Sequence, residues 1–324
     1  MLKKISFLIL VAISIAGSEV IDVSDFSHFR DVNEQPHRQE VLRKLNKAPD
    51  ETSGKVPFIV GGNNATRGQI PHQVTLYVIQ RGNSGWLCGG SLINETWVLT
   101  AAHCVYGTYS YIIVIGGHNN VNLPIYSYRQ NVTDIKNNVF VYKTYNDENL
   151  NNDIALIRLP VAIPKNDPNI GIVRLPWNNT SDKFVGYDGT VSGFGRYSDS
   201  HNFTSEQLKY VVLPIITNTY CASFYVKDAV TDSNICGATT ASASSCSGDS
   251  GGPFTVQING VTTIVGVVSF GAQKGCQKGY PAGFTRVTSF VKWIDSVMNA
   301  SPKTIVINVV FIVIAQIGLM IWNY

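Results

Sequence analysis

The run Cys246-Ser247-Gly248-Asp249-Ser250-Gly251-Gly252-Pro253 decides the reading of this chain. A serine hydroxyl is a poor nucleophile at neutral pH, so a hydrolase built on one needs a base for its proton and donors for the oxyanion. Glycines around Ser250 let backbone amides turn toward one point, which makes the N–H groups of Gly248 and Ser250 candidate oxyanion donors. Taken alone, Gly-Asp-Ser-Gly reads first as an ordinary turn. The rest of the chain separates the two readings.

Upstream, Thr100-Ala101-Ala102-His103-Cys104 follows the apolar segment Trp97-Val98-Leu99, which reads as a buried strand. Further on, Asn151-Asn152-Asp153-Ile154-Ala155-Leu156-Ile157-Arg158-Leu159 sets a carboxylate where a polar loop meets an apolar strand. Singly, the histidine reads as structural and the aspartate as a loop cap. Together they give the order His, Asp, Ser, one of the known chain orders of a hydrolytic triad. At these residues the chain resembles the chymotrypsin-like (trypsin superfamily) serine endopeptidases, from Ile59 to about Met298. The resemblance implies an all-β fold of two six-stranded antiparallel Greek-key barrels with a C-terminal helix, and the triad in the cleft between them. Ser250 would be the nucleophile, His103 the base and Asp153 its orienting acid. It implies no cofactor and a monomer.

The 324 residues, 44% of them hydrophobic, can bury a large core. A net charge of +3 without a Lys/Arg cluster argues against a nucleic-acid partner. Met1-Leu2-Lys3-Lys4, the apolar run from Ile5 to Ala16 and small residues to Ser18 have the layout of a secretory signal over 1–18; a spanning anchor is the alternative. Secretion implies an oxidising compartment, so the six cysteines read as three bridges whose pairing the sequence alone leaves open. The resemblance implies Cys88 with Cys104, Cys221 with Cys236 and Cys246 with Cys276. No metal is expected: the His and Cys residues lack ligand spacing, and Gly107 to Thr133 holds no Asp or Glu for a hard cation. Acceptor triplets for N-glycosylation occur at Asn64, Asn94, Asn131, Asn178, Asn179, Asn202 and Asn299.

Ile59-Val60-Gly61-Gly62 resembles the family's mature N-terminus, dividing the chain into a propeptide at 19–58, a protease domain at 59–298 and a tail at 299–324. The resemblance implies that the freed amine of Ile59 enters beside Asp249, an ion pair favourable only when both partners arrive. A strand entering a turn is the plainer alternative. Phe58 precedes the junction where most relatives have Arg or Lys, which calls for a chymotrypsin-like activator or the enzyme itself. With no cysteine in 1–58, the cut propeptide is free to leave.

For the primary pocket the resemblance puts Ser244 at the base, without the carboxylate that Arg or Lys specificity needs. Ser269, Phe270 and Gly271 would run alongside the substrate, with Gly271 leaving the mouth open and Phe270 in place of the usual Trp. Ala282 would add a methyl inside. The expected preference is for Tyr, Phe, Leu or Met before the cut bond; elastase-like specificity is the alternative. A catalytically inactive homologue acting as a binding protein is the rival from another class, opposed by the retained triad. Partners are then protein or peptide substrates and serine protease inhibitors. Ile305 to Trp322, eighteen residues broken only by Asn308 and Gln316 among apolar or small ones, reaches the lower limit for a membrane span. A lipid-anchor signal, a spanning helix and a trimmed tail all fit it, so the expected location is extracellular, free or tethered at the cell surface through the tail.

Apolar or alternating runs predict strands over Gln73–Ile79, Gly90–Leu99, Tyr111–Ile115, Asp153–Leu159, Gly189–Gly193, Leu208–Leu213, Thr263–Ser269 and Gly283–Val287. Helical spacing of Phe290, Val291, Ile294, Val297 and Met298 predicts one helix over Val287–Met298.

Overall fold

The computed structural model describes residues 30–31, 35–45, 62–80, 85–108, 111–116, 128–164, 166–197, 199, 204–240, 243–271 and 275–300. The expected signal segment, the Phe58–Ile59 junction, Asn202 and the hydrophobic tail lie outside the described residues.

In chain order the first elements are β1 (Arg30–Asp31), α1 (Pro36–Leu45), β2 (Asn63–Asn64), β3 (Gln73–Ile79), β4 (Gly85–Asn94), β5 (Trp97–Thr100) and α2 (Ala102–Val105). Next come β6 (Tyr111–Gly116), β7 (Tyr128–Val132), α3 (Ile135–Asn138), β8 (Val139–Val141), β9 (Ala155–Arg158) and β10 (Asp188–Gly193). The remainder are β11 (Lys209–Ile216), α4 (Asn218–Ala222), β12 (Asn234–Gly237), β13 (Pro253–Ile258), β14 (Val261–Phe270), β15 (Ala282–Arg286) and α5 (Val291–Ala300).

Two antiparallel sheets carry the fold. The first runs β7-β6-β3-β4-β5-β9-β8, with β1 laid parallel on β4 at Trp86 and Leu87. In the second, β10-β13-β14-β15-β12-β11 closes through β10 on β11 into a six-stranded barrel, and β2 extends it beside β11. Every residue of β3 is buried, as its near-continuous apolar run demands of a strand covered on both faces. Leu76, Val98, Leu99, Leu156 and Ile157 fill the first core, and Phe290 together with Val291 and Ile294 of α5 packs onto it. The second core is built round Phe254 and Phe284, stacked 4.1 Å apart. The sheets are riveted by polar bonds: Ser192 Oγ donates to Gln73 Oε1 at 2.7 Å, and Gly89 N donates to Ser250 O at 2.7 Å.

Two sequence expectations need correction. The single strand from Gly90 to Leu99 is two strands, because Asn94 Oδ1 takes the Thr96 amide at 3.2 Å and turns the chain between β4 and β5. The terminal helix is a short 3-10 turn over Val287–Ser289 followed by α5, which ends at Ala300. Helix α1 has no counterpart among the expected elements. It buries Val41, Leu42 and Leu45 against Leu150, Tyr225 and Phe270 of the following domain.

Candidate active site

Short helix α2 carries His103 directly out of β5, so the buried strand Trp97–Thr100 sets the position of the imidazole. The other wall is the turn before β9, where Leu150 and Asn152 both adopt left-handed φ of 58°. That conformation suits Asn and costs a branched aliphatic residue about 1 kcal/mol. It aims Asp153 inward: Oδ1 accepts from the His103 backbone N at 2.9 Å, and Oδ2 lies 2.7 Å from His103 Nδ1. Two bonds to one carboxylate fix both the ring's place and its rotation. Asp153 is wholly buried, and its remaining capacity is met from the second sheet by Ser269 Oγ, donating to Oδ2 at 2.6 Å. Thr285 Oγ1 donates to its backbone oxygen at 2.7 Å. Burial opposes ionisation of Asp153, but the charge and hydrogen bond of His103, the guanidinium of Arg38 and the Ser269 hydroxyl outweigh it and hold the carboxyl below its ordinary value. Nearby, burial and then the Asp153 and Asp147 charges push the Tyr145 phenol far up, so it stays a neutral donor.

The predicted nucleophile loop sits between the sheets. Gly248 has φ of +96°, a region open to glycine, and a Cβ there would lie 2.9 Å from Gly195 Cα. Ser250 is buried and its carbonyl is tied to β4, while Cys104 Sγ, next to His103, lies 3.5 Å from Ser250 O. The loop with Ser250 and the helix with His103 are therefore neighbours. Asp249 is wholly buried beneath them; its carboxylate accepts from Gly195 N at 2.8 Å and Cys246 N at 2.9 Å. Ile59, the expected partner of Asp249, is outside the described residues.

Beside Ser250 opens a cavity of about 300 Å³. Ser244, Ser269, Phe270, Gly271 and Ala282 all line it, and Ser244 is buried. The Phe270 ring lies so close to Gly283 that any Cβ there would strike it, and it meets Tyr225 edge-on at 5.2 Å. A Cβ at Gly271 would meet nothing within 4 Å among the described residues. Two charged residues, Arg196 and Asp199, also line it; Asp199 is exposed and accepts the Cys276 and Gln277 amides at 2.8 and 3.1 Å. The bridges are Cys88–Cys104, Cys221–Cys236 and Cys246–Cys276, the pairs that the resemblance implies.

Sequence reading missed two groups. Ser269 was expected only as a wall of the pocket, whereas its hydroxyl serves Asp153. Arg38 was not singled out at all; it is 3% exposed, with Nη2 donating to Ser269 O at 2.6 Å and lying 3.4 Å from His103 Nδ1. The acceptor triplets at Asn64, Asn131, Asn178 and Asn299 are exposed and those at Asn94 and Asn179 partly so.

The family model "Trypsin" matches residues 59–294. Brachyurin of Leptuca pugilator is 40% identical over 75% of this chain and 100% of its own length. Collagenase of Hypoderma lineatum is 35% identical over 73% of this chain and 86% of its own length. A solved structure described as HL collagenase superposes with a TM-score of 0.66 at 34% identity, covering 74% of this chain and 99% of that one. The two sheets, the site between them and these likenesses place the chain in the trypsin family, as a chymotrypsin-like serine endopeptidase acting on peptide or protein substrates.

Proposed function

We propose that this protein is a secreted zymogen that cleaves peptide bonds after large apolar or aromatic residues through an acyl-enzyme. Ser250 attacks the carbonyl, His103 takes its proton and returns it to the leaving amine, and Asp153 fixes the tautomer and steadies the imidazolium. The N–H groups of Gly248 and Ser250 receive the oxyanion. The observation that carries the reading is the 2.7 Å bond from His103 Nδ1 to a buried Asp153, beside the serine loop. Such a base has no structural need for a buried anion, which weighs against the inactive-homologue reading. The uncharged base at Ser244 and the missing side chain at Gly271 support the aromatic and apolar preference. The extra methyl of Ala282 trims the largest side chain, Trp, with discrimination of about 1–3 kcal/mol.

Cleavage at Phe58–Ile59 would free the Ile59 amine to enter beside Asp249, and the pocket's own preference suits Phe58. Secretion by the 1–18 signal, some glycosylation at the exposed triplets, inhibition by serine protease inhibitors and surface tethering by the 305–322 segment complete the reading. Among the described residues no helix is long and apolar enough to cross a membrane. The test is active-site labelling with a serine-directed phosphonate, and turnover of peptides with Phe, Tyr or Leu against Arg or Lys before the cut. Ser250→Ala is expected to abolish labelling and lower kcat by about four orders of magnitude or more. Equal turnover by that variant would overturn the triad, and preference for Arg or Lys would overturn the pocket. Because one relative is a collagenase by name, collagen belongs among the protein substrates assayed.

A further inference from the structure

We propose that residues 30–45 are an inhibitor of this protein's own cleft, bound with reversed polarity so that the enzyme cannot cut it. This rests on the protease reading above and concerns the state before residues 19–58 leave. In a substrate, everything N-terminal to the scissile carbonyl belongs to the acyl half, which lies with the pocket and the edge Ser269–Gly271. The leaving half continues past Ser250 toward β4, whose Gly89 amide holds the Ser250 carbonyl. A substrate therefore runs N to C from the 269–271 edge toward β4. The described residues 30–31 and 35–45 are placed the other way round. Their N-terminal end, β1, pairs parallel with Trp86 and Leu87 of β4. Their C-terminal part, α1, lies over the acyl side: Leu42 and Gln39 line the pocket cavity, and the Leu45 carbonyl accepts from Val226 N at 3.0 Å.

The side chains that reach the site take groups a substrate needs. Arg38 Nη2 occupies the Ser269 carbonyl at 2.6 Å, an acceptor at the rim of the pocket for a substrate amide. The same guanidinium stands 3.4 Å from His103 Nδ1, and Leu42 caps the pocket without filling it. Val41 and Leu45 are buried against Leu150 and Tyr225, and His37 Nε2 reaches Asp147 Oδ2 at 2.8 Å on the outer rim. Helical backbone is also a poor substrate, because its carbonyls are engaged in the helix rather than extended toward oxyanion donors. Reversal and helicity together explain how a segment lying on a formed pocket escapes hydrolysis. The relay of His103 and Asp153 is already bonded beneath it.

The experiment uses the full chain with a site-specific protease's recognition sequence in place of residues 54–58, so that cutting frees an intact segment that is held only by contacts. Activity per molecule is expected to rise at least tenfold on dilution from micromolar to nanomolar. The Arg38→Ala/Leu42→Asp double variant is expected to be fully active at every concentration. Concentration-independent activity in the parent would overturn the proposal while leaving the protease reading intact. Hydrogen exchange on the uncut chain gives a readout independent of catalysis, and of whether the double variant folds. Amides 39–45 should be protected, and exchange at random-coil rates would overturn the proposal. If the cut chain neither labels with phosphonate nor hydrolyses peptides at any dilution, the protease reading falls, and exchange still reports whether the segment covers the cleft.

Discussion

Ser269 joins two tasks in one residue. Its hydroxyl donates to Asp153 at 2.6 Å while its carbonyl lies at the rim of the pocket, accepting from Arg38 at 2.6 Å. A hydrogen bond to a buried ion contributes about 1.5–3 kcal/mol, and here it also limits how far the carboxylate can swing from His103. Ser269→Ala is expected to lower kcat roughly tenfold with KM near that of the parent, because the backbone edge stays in place. Ser269→Thr, which keeps the hydroxyl, should recover most of the loss. Steady-state kinetics on both variants decide it: an unchanged kcat in the alanine variant would remove Ser269 from the relay. The three residues of the proposed triad, His103, Asp153 and Ser250, stand out in the sequence because each lies in a short local motif. Ser269 and Arg38 do not, since their meaning comes from partners 116 and 65 positions away.

At the entry to β3, His72 is buried and its Nε2 has no hydrogen-bond partner among the described residues. Burial lowers its pKa to about 4 from 6.5. The folded chain thus keeps a neutral ring where the unfolded chain would bind a proton. The stability tied to that neutral ring is complete above pH 6.5 and is lost as pH falls toward 4, by about 3 kcal/mol in all. His72→Phe should flatten the stability curve across that window in denaturant titrations at stepped pH; an unchanged slope would place the acid sensitivity elsewhere. Among the elements, β3, β6, β9 and β14 were legible from their apolar runs. The β4–β5 turn was hidden because Asn94, Glu95 and Thr96 include no glycine or proline. Helix α1 did leave a trace in the sequence: Pro36 at its first position, and Val41, Leu42 and Leu45 on one stripe. What covers that stripe is a contact of long sequence separation, which no local pattern encodes.

On the scale of the molecule, the cleft is composite: His103 and Asp153 come from the first sheet, and Ser250, Ser269 and the pocket from the second. The resemblance gave this architecture, and the described residues close the second sheet as a barrel, while the first shows no pairing of its end strands β7 and β8. The disulfides respect the same division. Cys88–Cys104 lies within the first half, and Cys221–Cys236 and Cys246–Cys276 lie within the second. No bridge crosses, so one thread of backbone between β9 and β10 is the covalent link. A recognition sequence for a site-specific protease placed in the exposed turn at Asn178 should, once cut, give two fragments that separate on a denaturing gel without reductant. Under native conditions they should elute together and remain active, and loss of activity on nicking would show that the thread itself aligns the site. The protein is in this sense a heterodimer written as a single chain, and its two halves, expressed apart and oxidised apart, should regain catalysis only on mixing.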